Sequence, residues 1–128
     1  MIYLLDTHLL LWAAGAPERL SLAARAHIDD ETSGLMFSAA AIWEVAIKSD
    51  LGRSDFRVDA RLLRRGLLEN GYTELAITSE QAAATAGLPP LHGDPFDRIQ
   101  VAQARVVGLV LLTTDSVVAD YGSPVELV

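Results

Sequence analysis

Apolar positions follow two kinds of pattern along the chain. Ile2-Tyr3-Leu4-Leu5 and Leu109-Val110-Leu111-Leu112 are unbroken apolar runs, and each gives way within a few residues to an acid, Asp6 or Asp115. Runs of that length without alternation read as strands buried on both faces, as in a parallel sheet. Leu35-Met36-Phe37-Ser38 and residues 73–77 read as two further strands, and residues 125–128 as a short terminal one.

Between these runs the spacing turns helical. Residues 8–14 form a helix-compatible segment closed by Gly15, and Pro17 and Ser21 punctuate the start of a second over 20–30. A third covers 40–51 and stops at Gly52, the usual fate of a helix meeting glycine. Residues 58–69 are amphipathic, with Leu62, Leu63, Leu67 and Leu68 on one face and Arg61, Arg64 and Arg65 elsewhere. Thr78 and Gln81 have the spacing of a capping box and open a helix through Ala86. Residues 88–95 are dense in turn formers, and a last helix over 96–107 ends at Gly108. Strands alternating with helices predict a three-layer α/β fold with a mostly parallel central sheet flanked by helices.

Composition narrows the class. The 128 residues, 51% of them hydrophobic, suffice for one compact domain with a sizeable core. No apolar stretch approaches the ~18 residues that span a membrane, and the N-terminal run lacks the basic flank and length of a secretory signal. There is no cysteine, so disulfides and thiolate metal sites are excluded. The expectation is a soluble cytoplasmic protein with no membrane partner. The formal net charge of −7 argues against non-specific binding to nucleic acid, which depends on Lys and Arg neutralising phosphates. The distribution qualifies this, because Lys48, Arg53, Arg57, Arg61, Arg64 and Arg65 are six of the ten bases. That segment reads either as a solvated face interleaved with Asp50, Asp55 and Asp59 or as a rim guiding RNA towards an acidic pocket.

Four acids are the candidate chemistry. Asp6 and Asp115 follow buried strands and should emerge at one edge of the sheet, where open parallel sheets bind ligands. Glu44 shares a helix face with Ala40, Ala41 and Ile47, and a buried carboxylate is costly unless paired or metal-bound. Asp97 stands in the first turn of its helix, directly after the turn-rich loop. Each acid also has a purely structural role open to it. Asp6 and Asp115 can cap helices, Glu44 can pair with Lys48 at i+4, and Asp97 can answer a helix dipole. A cluster of all four needs protons or cations between the carboxylates. Hard oxygen ligands without cysteine favour Mg²⁺ or Mn²⁺, ions suited to phosphodiester chemistry.

Tyr3-Leu4-Leu5-Asp6-Thr7-His8, the run from Ser38 through Trp43-Glu44 to Lys48, His92-Gly93-Asp94-Pro95-Phe96-Asp97-Arg98, and Leu112-Thr113-Thr114-Asp115 occur in this order across nearly the whole chain. In order and rough spacing this set resembles the PIN-domain ribonucleases, and more closely the VapC toxins of bacterial toxin–antitoxin pairs. The resemblance implies a single PIN-like domain over residues 1–128, with Asp6, Glu44, Asp97 and Asp115 as catalytic and Mg²⁺- or Mn²⁺-binding acids. It further implies hydroxyl support from Thr7, Ser38, Thr113 and Thr114, the kind of contact that fixes ligand rotamers around a metal. Arg98 is expected to contact an RNA phosphate or to pair with Asp94, with Arg53 and Arg57 as further RNA contacts. His8 and His92 stay outside the catalytic set.

The activity implied is metal-dependent endonucleolytic cleavage of RNA. The partners implied are a cognate antitoxin whose tail blocks the acidic site, an RNA substrate and a second copy in a homodimer, with DNA reached only through the antitoxin. The apolar helices beginning at Trp12 and Trp43 are either partner-covered or core. A PIN-like binding module without turnover is the rival reading. Receiver-type and haloacid-dehalogenase-like phosphotransfer folds fit poorly: the one lysine, Lys48, lies too early for the first, and His8 stands where the second needs an acid.

Overall fold

A computed structural model describes residues 1–52 and 57–128. Five strands, β1 (Ile2–Leu5), β2 (Gly34–Ser38), β3 (Thr73–Leu75), β4 (Val110–Thr113) and β5 (Val125–Leu127), form one sheet in the order β3-β2-β1-β4-β5. Every neighbouring pair is parallel, so the mostly parallel sheet expected is wholly so. Seven helices are described: α1 (Thr7–Gly15), α2 (Leu22–Ile28), α3 (Ala39–Asp50), α4 (Ala60–Glu69), α5 (Ser79–Ala84), α6 (Pro95–Val107) and α7 (Ser116–Ala119). Arg53, one of the expected RNA contacts, lies outside the described residues.

The apolar runs become central strands because both sheet faces are covered. Tyr3, Leu5, Phe37 and Leu112 pack with Leu9 and Leu10 of α1, Ala41 and Val45 of α3, and Leu63 and Leu67 of α4. Leu4 and Leu111, alternate residues of the same strands, pack instead with Val101, Ala102 and Ala104 of α6 and Val118 of α7. Strand periodicity thus sends neighbours to opposite cores, both apolar. Register matches Leu5 to Phe37 and to Leu112, so Asp6, Ser38 and Thr113 come next on three adjacent strands. The sheet order reverses between β1 and β4, and the carboxyl ends of those two strands open the crevice typical of such a switch point.

Several boundaries differ from expectation for local reasons. The helix expected over 20–30 is the shorter α2, Leu22–Ile28, preceded by a 3₁₀ turn at Pro17–Arg19, because Ser21 stays extended and its Oγ accepts from Ala24 N at 3.0 Å. The strand expected over 73–77 ends at Leu75. The capping box forms as expected: Thr78 Oγ1 accepts from Gln81 N, and the Gln81 side chain accepts from Thr78 N. Helix α6 begins one residue earlier than expected, with Asp94 as its cap and Pro95 in its first turn, and stops at Gly108 in the left-handed region at φ 84°. The apolar face expected on α4 divides: Leu63 and Leu67, one turn apart, enter the core, while Leu62 is 59% and Leu68 39% exposed. Trp43 is 61% exposed, whereas Trp12 packs partly against the core. No helix among the described residues is long and apolar enough to cross a membrane.

Candidate active site

Asp6 leaves β1 exposed to the demands of two elements at once. Its backbone N–H extends the β ladder to Leu112 O at 3.0 Å, and its Oδ1 caps α1 by accepting from Leu9 N at 2.9 Å. Its Oδ2 accepts from Thr113 Oγ1 at 2.6 Å and, at a longer 3.4 Å, from Thr114 N. The capping role and the cluster role are therefore filled by one side chain using different oxygens. Burial pushes its carboxyl above the ordinary value, against the pull of the Thr113 and Leu9 donors.

Glu44 lies on the inner face of α3, buried beside Ala40, Ala41 and Val45. Its Oε1 accepts from Thr7 Oγ1 and its Oε2 from Lys48 Nζ, both at 2.5 Å. Pairing with Lys48 and burial in the cluster thus coexist, and the chain itself answers this charge.

Asp97 has far weaker compensation. It stands at the third position of α6 and lines the same cavity as Asp6 and Asp115. Burial first, then the charge of Asp94, then that of Glu44, raise its carboxyl from an ordinary 3.8 to about 7; His92 opposes this and Asp6 adds to it. Asp115 caps α7 through Oδ1, which accepts from Val117 N at 2.8 Å, and its own N–H donates to Thr113 Oγ1 at 3.0 Å. His92 Nε2 lies 3.3 Å from Asp97 Oδ2 and 3.3 Å from Asp115 Oδ2. His92 Nδ1 accepts the Asp94 N–H at 3.0 Å, which leaves the ring proton on Nε2, facing the two acids.

Together Asp6, Glu44, Asp97 and Asp115 line one cavity of about 170 Å³, with Thr7, His8, Lys48, His92, Asp94 and Thr114 completing its wall. The donors suit a hard divalent cation. Ligand atoms of His92, Asp97 and Asp115 gather within 4.8 Å of one another. With Nδ1 accepting from Asp94 N and the proton on Nε2, His92 orients the two carboxylates, and these are the groups open to a cation. A carboxyl raised to about 7 by burial and by neighbouring acids is the condition that such an ion relieves. Carboxylate oxygen donors fit Mg²⁺ or Mn²⁺.

The expected supporting residues are placed unequally. Thr7 and Thr113 donate to Glu44 and Asp6, and Thr114 reaches Asp6 through its backbone. Ser38 does not meet an acid: its Oγ caps α3 and donates to Gln103 Oε1 at 2.6 Å, since Gln103 is fully buried and needs a donor. Arg57 is exposed and is not part of the cavity wall. Arg98 pairs with no acid among the described residues. Its guanidinium donates to Pro89 O at 3.1 Å, Thr85 O at 2.9 Å and Tyr121 Oη at 3.0 Å. The same Tyr121 Oη accepts the His92 N–H at 3.2 Å, so Arg98 anchors the loop that carries His92. Arg98→Met is accordingly expected to lower unfolding stability by about 1–3 kcal/mol, read as an earlier urea midpoint. An unchanged midpoint would remove Arg98 from this anchoring role.

The profile of the PIN domain family matches residues 3–123. Ribonuclease VapC22 of Mycobacterium tuberculosis is 31% identical over 122 residues, covering 94% of this chain and 92% of that protein. Among solved structures, VapBC2 from Rickettsia felis, bound to a DNA fragment from its promoter, superposes with a TM-score of 0.71 at 10% identity, covering 100% of this chain and 98% of that one. VapC20 of Mycobacterium tuberculosis, a sarcin-ricin loop cleaving toxin, gives 0.66 at 14% identity, with coverages of 94% and 95%. These structural likenesses speak for the fold.

Proposed function

Because the chain belongs to the PIN-domain family, in its VapC-type branch, we propose that it is a Mg²⁺- or Mn²⁺-dependent endoribonuclease acting as the toxin of a toxin–antitoxin pair. The observation that carries this reading is the convergence of Asp6, Glu44, Asp97 and Asp115 on one cavity at the sheet's switch point. Four carboxylates repel an RNA phosphate unless a cation lies between them, so the cavity makes sense for this substrate only with a divalent ion.

A bound ion would supply Lewis acidity to the phosphoryl oxygens and a lowered pKa to a water molecule. The chain's own groups do the rest. Thr113 and the end of α1 fix Asp6, and Thr7 fixes Glu44, so their oxygens are pre-oriented without reorganisation. His92 Nε2–H ties Asp97 to Asp115. Asp97 Oδ2 is the acceptor for the proton of the attacking water. The new P–O bond forms as the P–O3′ bond breaks, leaving a 5′-phosphate on one fragment and a 3′-hydroxyl on the other once the departing oxygen is protonated from solvent.

Partners follow from two surfaces. A groove of about 390 Å³ between α1 and α4, lined by Leu11, Val58, Leu62, Leu67 and Tyr72, supports docking of an apolar antitoxin segment. The VapBC complexes among the structural neighbours support an antitoxin partner of this kind. A second apolar patch, where exposed Trp43 stacks edge-on with Phe96 at 5.3 Å beside Ile77 and Ile99, supports a homodimer. DNA would then be reached through the antitoxin, consistent with the net charge of −7, and the site of action is the cytoplasm.

The experiment is digestion of total RNA by protein freed of any co-purified partner, with Mg²⁺, Mn²⁺ or EDTA, followed by end analysis. Metal-dependent cuts bearing 5′-phosphates are expected, whereas 2′,3′-cyclic ends or EDTA-resistant cutting would overturn the mechanism. A folded protein that binds RNA and cuts none would favour the binding-module reading. Within this scheme Thr113→Val removes the donor to Asp6 and the acceptor for Asp115 N. Cleavage is expected to fall about 10–100-fold with about 1–3 kcal/mol of stability. Undiminished cleavage in that variant would exclude a positioning role for Thr113.

A further inference from the structure

Glu44 and Asp97 face the same cavity, yet their charges are handled in different ways. Both Glu44 oxygens are engaged at 2.5 Å, one by the Thr7 hydroxyl and one by the Lys48 ammonium. The carboxylates that gather around His92 at one end of the cavity are Asp97 and Asp115, and Glu44 is not among them. Lys48 itself is 18% exposed and forms part of the cavity wall, one helical turn beyond Glu44. An ammonium is a compact point charge with three donor hydrogens, enough to hold a carboxylate and to meet a phosphoryl oxygen together.

We propose that Lys48 is the resident second cation of this site: the cavity takes one divalent ion at its Asp97–Asp115 end, and the Lys48 ammonium serves the Glu44 end. There it holds Glu44 in place and meets a non-bridging oxygen of the phosphodiester. The first half of this assignment concerns cation binding alone, while the second half rests on the ribonuclease reading above. Lys48 fits the part on structural grounds. Its i+4 position places it by helix geometry alone, and its part-buried ammonium is already ordered on Glu44, so little freedom is lost when substrate arrives.

The test counts ions on the full chain freed of any partner, by titration with Mn²⁺ followed through the electron paramagnetic resonance of the free ion. One Mn²⁺ per chain is expected for the wild type and for Lys48→Arg, and two for Lys48→Met, in which Glu44 becomes available as a ligand. Two ions in the wild type, or one in a folded Lys48→Met, would overturn the assignment. Because Lys48 is the sequence's one lysine, a second readout needs no variant. In protein labelled at lysine, the single side-chain resonance should hold its position as Mg²⁺ is added to one equivalent and beyond. It should then move when the dinucleotide dTpdT, a phosphodiester probe, is added at millimolar concentration. A resonance that Mg²⁺ drives towards the position of free lysine, or one indifferent to dTpdT, would contradict the proposal. Lys48→Met is further expected to lower kcat/KM on RNA about 100-fold, with Lys48→Arg recovering most of it. If the ion counts come out as expected while wild type cuts no RNA, the ribonuclease reading fails and the cation assignment stands.

Discussion

Asp97→Asn is expected to make the metal-free protein more stable at pH 8, by about 2–4 kcal/mol, while lowering RNA cleavage by more than about 100-fold. The reason lies in the difference between its folded and unfolded carboxyl. Burial and the neighbouring acids Asp94 and Glu44 raise it in the fold from 3.8 to about 7. Between those two values the folded chain holds a proton that the unfolded chain has released. Stability therefore falls as pH rises from about 4 to 7 and stays low above that. Asp6, raised by burial, contributes in the same direction. Asparagine removes the ionisation and with it the penalty, so urea melts in EDTA at pH 5, 7 and 8 should show the variant losing much less stability across this range than the wild type. Adding Mn²⁺ should rescue the wild type at pH 8 and leave the variant nearly unmoved. A variant less stable than wild type at pH 8 in EDTA would contradict the crowding on which this rests.

Glu44→Gln is expected to do the opposite, although the residue faces the same cavity. Its carboxylate is held by Thr7 and Lys48, so neutralising it removes the anion that Lys48 pairs with rather than relieving a repulsion. Losing one partner of a largely buried pair costs more than losing both, and a loss of about 1–3 kcal/mol in EDTA at pH 7 is expected. Cleavage should also fall by more than about 100-fold. The two variants, melted side by side, separate acids that are compensated by the chain from acids that await a cation. Equal signs of change would mean that this distinction is wrong.

Much of this arrangement was legible in the residues. Tyr3 to Leu5 and Val110 to Leu112 are buried against helices on both sides, which is why they carry no alternation and why Asp6 and Asp115 could be assigned to one sheet edge. Glu44 announced itself as a carboxylate on an apolar helix face. His92 was hidden, because it sits in a loop without periodicity and gains its place from Tyr121 and Asp94, which are far and near in sequence respectively. Its one sequence signal was its position five residues before Asp97. The partner of Ser38 was equally hidden, since Gln103 comes from another layer of the fold. Gln100 and Gln103, polar residues three apart on an otherwise apolar face of α6, did carry a clue: both are fully buried. Gln100 reaches towards Thr7 at 3.5 Å and Gln103 bridges Ser38 and Gln81. Helix α7 is too short to show a period and is specified by its Asp115 cap.

The apolar face of α4 divides for a reason the sequence pattern alone does not resolve. Leu62 and Leu68 satisfy the helical spacing as well as Leu63 and Leu67 do. Which pair enters the core depends on how α4 lies against α3, α1 and β3, and Leu62 ends in the wall of the groove instead.

The most direct measurement compares wild type with Asp6→Asn, on one RNA substrate and in one Mn²⁺ titration. Asparagine's single carbonyl oxygen can still accept from Leu9 N, and its amide NH2 can donate to Thr113 Oγ1 in a reversed bond, so the cap of α1 and the fold persist while one carboxylate charge is lost. The expected result is Mn²⁺-dependent cleavage by wild type, with cleavage lost and Mn²⁺ affinity weakened in a folded variant, since one carboxylate charge has left the cavity wall. A folded Asp6→Asn that cuts as well as wild type would contradict the account at its centre, for it would place the chemistry outside this cavity.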